Sequence, residues 1–357
     1  MLHELRAFLP IAEKVKVRNP TLTILNDIAV RDGQLIITDL ENWLTIPIED
    51  EREFTVPFEV IRQILKSRPA SFKIDILKDN RLEIHYDNNT VVCQYMDVDE
   101  YPSFPKDKFN KIGTWTGEMI LQLHSQLQHA STDELKPALM GVWIKQEQGI
   151  CQSCTTDGHT LEYVSDLDPE KKGETNADFE GILSPKCIQI LTKFRIDQIQ
   201  VAVGENFIQF HLPHYMIITS RLIAESYPDF LSILRQECPN ELKIEKEAIL
   251  KAVEASIPFA NKDTWLSRLL LKNGTIGLIT TDYERNLTFS TEIEHNGRAT
   301  AAMEIGFNLK LLQKTLNSIP ANEIIWKYKD NHSANLFVAS DDNCKINLLM
   351  PVRLEED

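Results

Sequence analysis

The sequence predicts an α+β fold of three similar domains with mostly antiparallel sheets, and three observations predict it. A stretch reading strand, glycine turn, strand and Thr-Asp occurs three times, around Asp32-Gly33 (ending on Thr38-Asp39), Gln148-Gly149 (Thr156-Asp157) and Asn273-Gly274 (Thr281-Asp282). The aspartates lie 157 − 39 = 118 and 282 − 157 = 125 residues apart. That period is a small domain, well above the roughly 20 to 50 residues of a solenoid repeat. Each copy sits between two segments with apolar residues at helical spacing, and runs of β-favouring residues follow. Helix, hairpin, helix, three strands in every third is an α+β order.

In the first third, Leu5, Phe8, Leu9 and Ala12 predict a helix over 3–17, which Pro10 should bend or shorten. Pro57 and the spacing of Val60, Ile61, Ile64 and Leu65 predict the second helix, ending before Pro69. Strands are expected over 72–77, 82–86 and 90–95, and the segment closes on Tyr101-Pro102-Ser103-Phe104. The middle third has its first helix over 118–130, its second from Ser184-Pro185 with Ser184 as N-cap, strands over 198–203, 207–212 and 215–220, then Tyr227-Pro228-Asp229-Phe230. The last third offers helices over 246–256 and 307–317 and strands over 323–328, 336–339 and 345–349. With linkers expected over 106–112 and 236–242, the domains run 1–111, 112–240 and 241–357.

A chain of 357 residues, 43% of them apolar, suits several small cores. No apolar run approaches the roughly 18 residues of a membrane span, and Glu4 and Arg6 interrupt the N-terminus unlike a signal peptide, so a cytoplasmic protein with no membrane partner is expected. Six cysteines in so long a chain fit reduced thiols. Cys151 and Cys154 face opposite sides of a strand, and no second Cys or His pair completes four ligands, so neither metal nor cofactor is expected. An enzyme using Asp157, His159 and a cysteine is disfavoured because Thr-Asp is in all three repeats and His in only one, which makes the shared element architectural.

A net charge of −15 speaks against a nucleic-acid binder taken as a whole. Yet the helices are locally basic. Lys14, Lys16 and Arg18 end the first; Arg62, Lys66 and Arg68 face only Glu59 in the second; Lys186, Lys193 and Arg195, and likewise Lys310 and Lys314, stand in helices without an acid. On one helix such residues are ordinarily a solvated face. Repeated across equivalent helices, they suit a polyanion held against them.

Four motifs in register now carry a family resemblance: Thr156-Asp157-Gly158-His159-x-Leu161; Tyr227-Pro228-Asp229-Phe230; Met303-Glu304-Ile305-Gly306-Phe307-Asn308; and Leu349-Met350-Pro351-Val352-Arg353-Leu354. The chain resembles, over nearly its whole length, the bacterial DNA polymerase III beta subunit (beta sliding clamp) family. The resemblance implies three DNA-clamp domains in an arc, helices on the inner face and sheets outside, with two chains closing head to tail as a homodimer. It implies a non-catalytic processivity factor that slides on double-stranded DNA without reading its sequence. DNA polymerase III catalytic subunit, clamp loader and other clamp-binding-motif proteins would dock by short peptides with a Gln and a Leu/Phe end. The alternative is a clamp-like interaction scaffold that closes no ring.

Carried over by motif, the partner-peptide pocket would use Leu139, Thr156, Gly158, His159, Leu161, Pro228, Ile233, Asn308, Met350, Pro351, Val352, Arg353 and Leu354. Taken singly, Leu139, Leu161, Ile233 and Leu354 are plain core, and a His in such a turn is more often structural than a base. The DNA-facing set would be Lys14, Arg18, Arg62, Lys66, Lys186, Lys193, Arg195, Lys310 and Lys314. Clamps of this family open with a strand before the first helix; here the chain starts almost at the helix, so that strand is expected to be missing or the start displaced. Residues 90–99 also carry no Lys or Arg to meet Glu292 and Glu294 across a subunit interface.

Overall fold

The computed structural model describes residues 1–357 except 169, 171, 172, 176, 195, 196, 299 to 301, 343 and 355 to 357. The first third holds α1 (Leu2–Val15), a meander of β1 (Asp27–Arg31), β2 (Gln34–Thr38) and β3 (Asn42–Pro47), then β4 (Phe54–Pro57), α2 (Phe58–Lys66) and a second meander, β5 (Phe72–Leu77), β6 (Arg81–Tyr86) and β7 (Asn89–Gln94). The middle third repeats it with β8 (Asn110–Thr116), α3 (Gly117–Gln126), a single turn α4 (Pro137–Met140), β9 (Val142–Glu147), β10 (Ile150–Thr156), β11 (Thr160–Val164), β12 (Glu174–Thr175), β13 (Phe179–Leu183), α5 (Pro185–Leu191), β14 (Gln198–Val203), β15 (Phe207–His211), β16 (Ile217–Arg221) and a turn α6 (Leu231–Leu234). The last third comprises β17 (Asn240–Glu245), α7 (Lys246–Ser256), β18 (Leu266–Lys272), β19 (Thr275–Asp282), β20 (Leu287–Glu294), β21 (Asn296–Arg298), β22 (Met303–Asn308), α8 (Leu309–Asn317), β23 (Glu323–Tyr328), β24 (Asn335–Ala339) and β25 (Lys345–Leu349).

Three expectations need correction. The hairpins are three-stranded, because Thr-Asp does not end the second strand in a loop: the aspartate caps a tight turn into β3, β11 and, through a longer loop, β20. Helix α1 runs through Pro10 for 14 residues. Proline costs a helix roughly 3 kcal/mol, but Leu5, Phe8, Leu9, Ile11, Ala12 and Val15 are buried, and each large apolar side chain returns about 1.5–3 kcal/mol. The ends of both expected linkers are strands, β8 and β17; in Asn240–Glu245 burial alternates residue by residue, a period-two signal that its polar composition hides. A strand leads into α3 and into α7, whereas α1 starts at Leu2 with no strand before it among the described residues.

Two compact units result, residues 1–124, 146–149 and 170–224 in one and 125–145, 150–169 and 225–357 in the other. In the first, strands order β12-β8-β14-β15-β16-β3-β2-β1-β4, with β5-β6-β7 as a separate sheet. In the second, β9-β10-β11-β25-β24-β23-β17-β21 lie side by side and β20-β19-β18-β22 form a four-stranded sheet. Beneath α7 and α8, Phe307, Trp326 and Phe337 pack with the ladder aliphatics into a fully buried core. Tyr101, from the first Tyr-Pro-x-Phe copy, is buried and donates to the carbonyls of Asp27 and Ile36, tying that turn to its own meander. No helix among the described residues is long and apolar enough to cross a membrane.

Candidate peptide pocket and cationic helices

All the residues assigned to the pocket by motif belong to the second unit. Its centre is the turn between β10 and β11. Thr156 Oγ1 donates to the Thr160 carbonyl (2.7 Å) and accepts from Gly158 N (3.0 Å), while Asp157 Oδ1 accepts from the amides of His159 (2.9 Å) and Thr160 (2.6 Å). Gly158 has φ +91°, a conformation that side chains rarely adopt. The result is a rigid loop whose tip, Gly158 and His159, is exposed. Leu161 faces inward at 3% exposure, opposite Leu348 in the ladder, so it is floor and core rather than open surface.

Beside this turn runs the C-terminal segment. Met350 N donates to the His159 carbonyl (2.9 Å), and Val352 N to the Gly306 carbonyl (2.8 Å). A Cβ on Gly306 would stand 2.6 Å from the Val352 carbonyl oxygen and 2.7 Å from Leu354 Cδ2. Glycine is therefore what lets the tail lie on β22. Met350, Pro351, Val352 and Leu354 are left half-buried and Arg353 exposed.

A third wall is the second Tyr-Pro-x-Phe copy. Phe230 is buried 5.1 Å from Trp143 of β9 and 5.6 Å from Tyr163 of β11, and Tyr227 packs 5.9 Å from Phe230. These rings anchor the turn to the sheet that carries the Thr-Asp-Gly-His loop, leaving Pro228 exposed and Ile233 on α6 43% exposed. Leu139 on α4 is half-buried, its carbonyl bonded by Ser131 N. Asn308 takes another part: it caps α8, its Oδ1 accepting from Lys310 N and Leu311 N, and its amide donates to Thr264. The structure thus brings the Thr156–His159 loop, the tail and an aromatic-backed turn onto one unit, and gives Leu161 and Asn308 structural work.

Under the loop lies a buried polar group that the sequence reading missed. His129 contacts Thr160 Oγ1 through Nδ1 (3.1 Å) and stands 3.5 Å from Glu162, which pairs with Lys345 at 2.8 Å. Burial, with Lys314 and Lys345 adding repulsion, pushes the His129 imidazole down to about 3, so it is neutral near pH 7. Burial raises the Glu162 carboxyl despite Lys345. Burial also pushes Asp157 up, but hydrogen bonds from Lys314 and from the Thr160 and His159 amides bring it below its ordinary value.

The basic helices divide into two groups. Lys186 pairs with Asp39 (2.5 Å) and donates to the Val15 carbonyl (2.9 Å); Lys314 pairs with Asp157 (2.7 Å); Arg62 pairs with Glu59 (2.5 Å). Lys14, Arg18, Lys66, Lys193 and Lys310 are exposed, Lys66 within 3.4 Å of Gln63 and Lys310 5.0 Å over the Trp265 ring. Arg195 lies outside the described residues. In the first unit Lys14, Lys186 and Lys193 line one cavity of about 630 Å3 with His124, Asp39 and Glu41. Since Asp39 is engaged by Lys186, the cavity keeps a cationic balance suited to phosphate. Repetition of Thr-Asp was the one sequence signal that could have found the lysine partners.

This is a DNA-clamp fold: a sliding clamp of Pseudomonas aeruginosa superposes with a TM-score of 0.84, covering 99% of this chain and 98% of that one at 21% identity. By sequence as well the chain is similar to bacterial beta sliding clamps. It is 23% identical to that of P. aeruginosa over 97% of this chain and 96% of the relative, and 24% identical to that of Staphylococcus aureus over 93% of each. No family model matches.

Proposed function

We propose that this chain is a sliding clamp, a non-catalytic processivity factor of three domains (1–111, 112–240 and 241–357) that closes as a head-to-tail homodimer around duplex DNA. Exposed cations such as Lys14, Lys66, Lys193 and Lys310 would meet phosphates weakly, which permits sliding. The exposed His159 and Pro228 and the half-buried Met350 would take Gln- and Leu/Phe-bearing peptides of DNA polymerase III catalytic subunit, clamp loader and other partners. Thioether and aliphatic walls adapt to several sequences. The expected cellular place is the cytoplasm, on the nucleoid.

One observation carries ring closure. The third strand of a first meander pairs antiparallel with the third strand of the next second meander, twice: β3 with β16, Leu44 opposite Ile218, and β11 with β25, Glu162 opposite Asn347. The corresponding strands β20 and β7 are both sheet edges. Leu44, Glu162 and Phe289 each follow the residue opposite the Thr of Thr-Asp. Ile218, Asn347 and Val91 each stand opposite a buried central residue, Phe210, Phe337 and Ile84. The same rule pairs β20 of one subunit with β7 of the other, Phe289 facing Val91, both half-buried.

The test is topological. Loaded on nicked circular duplex, the protein should stay through a gel-filtration run in moderate salt and fall off once the DNA is cut to a linear form. Equal retention on both forms would exclude encirclement. The absence of Lys and Arg from residues 90–99 keeps the open scaffold as second reading; sedimentation as a monomer at micromolar concentration would favour it.

A further inference from the structure

The Thr-Asp turn is built three times, and each time its carboxylate holds a cation. Asp39 holds Lys186 of α5, Asp157 holds Lys314 of α8, and Asp282 holds Arg285 of its own loop at 2.5 Å. In the first two the cation comes from the second helix of the following third. Asp157 differs in what else it supports. Its Oδ1 accepts the His159 and Thr160 amides and its Oδ2 the Thr160 hydroxyl (3.0 Å), and the His159 carbonyl in turn receives Met350 N. One carboxylate therefore sets the shape of the Gly158-His159 tip and the entry of the Met350–Leu354 tail.

Lys314 is the only cation bonded to that carboxylate among the described residues, and its side chain is 22% exposed. Lys310, one turn earlier on α8, is exposed and lies over Trp265. Without Lys314, Asp157 would stay half-buried beside a neutral His129, and the anion would be relieved by turning toward water, which opens the turn.

We propose that Lys314 is a positioning residue of the peptide pocket, acting through Asp157, rather than a contact to DNA. The inference rests on the pocket reading above. It has two chemical consequences: the pocket loop is ordered by a helix of the following third, and only Lys310 of the two α8 lysines is left to meet phosphate.

The test uses the full chain with Lys314→Met and Lys314→Arg, read by titration of a fluorescent Gln-Leu-Phe type peptide and by hydrogen exchange at the His159 and Thr160 amides. Loss of one partly exposed charge-assisted hydrogen bond corresponds to about a tenfold change. K314M should weaken peptide binding and speed both amides by about that factor, while K314R stays within about twofold on both readouts. The salt dependence of retention on circular DNA should be unchanged in K314M. Wild-type exchange rates in K314M would overturn the proposal, and so would a salt slope lowered by about one, the signature of a lost phosphate contact. Were the wild-type chain to bind no such peptide, the pocket reading would fall, and exchange at the two amides would still decide whether Lys314 orders the turn.

Discussion

At the scale of single residues, His129 shows how burial decides a role that type alone leaves open. Its side chain is fully buried, faced by Glu162, Lys345, Asp157 and Lys314, and its proton affinity is pushed down to about 3 from an ordinary 6.5. Between those values the unfolded chain binds a proton that the native chain refuses, so the His129 contribution to stability is present above pH 6.5 and is lost as pH falls toward 3. Glu162, raised by burial, acts in the opposite sense just above its ordinary carboxylate range. Replacing His129 by Gln, which can still meet Thr160, should flatten urea-unfolding stability against pH between 6 and 4. The slope should fall by up to about 1.4 kcal/mol per pH unit, the linkage value for one proton. An unaltered slope would mean that the imidazole protonates in place.

At the scale of elements, the proposed pocket depends on a strand that leaves room for a tail. Gly306 sits where a methyl group would meet a backbone carbonyl at 2.6 Å, which a side-chain rotation cannot relieve. Gly306→Ala should therefore displace residues 350–354 and cost about tenfold or more in peptide affinity, with a melting temperature lowered only by a few degrees, as about 1 kcal/mol would do. Affinity equal to wild type in a fluorescence titration would show that the tail does not form the pocket. The unpaired edges make a sharper prediction. In the proposed register, taken from the two intrachain ladders, Cys93 of β7 would lie opposite Leu287 of the partner subunit. Under mild oxidation Leu287→Cys should yield a covalent dimer on a non-reducing gel, since directly opposed strand residues lie within disulfide reach. Thr291→Cys, four residues along, should not; crosslinking in that variant instead would refute the register.

For the molecule as a whole, the conflict to resolve is a net charge of −15 on a proposed DNA sleeve. It is eased if the cations are few, local and weakly held, because a strongly basic lining would slow sliding. Lys14 and Lys193 are exposed on the same cavity as Lys186. Changing both to Glu should shorten retention on circular duplex and reduce its salt slope by about two, one per lost phosphate contact, while leaving the dimer intact by sedimentation. Retention like wild type would move the DNA path off this cavity.

Much of the fold was legible in the sequence, because glycine turns, helical spacing and the Thr-Asp repeat are local and recur three times. The helix over 246–256 is found at its expected limits, and the motifs pointed to the loop, the aromatic turn and the tail. What stayed hidden was whatever depends on partners distant along the chain. Leu161 also serves the core and Asn308 a helix cap, Pro10 sits inside a helix that packing sustains, and the polar run at Asn240–Glu245 is a strand because every second residue is covered. Lys186 and Lys314 read as free cations until the chain folds an aspartate onto each. Sequence by itself determined the repeated local order, since turn and helix preferences act over a few residues. Only tertiary structure decided which charges are paired and which remain open, because a salt bridge depends on where the backbone brings two side chains and not on how far apart they stand in the chain.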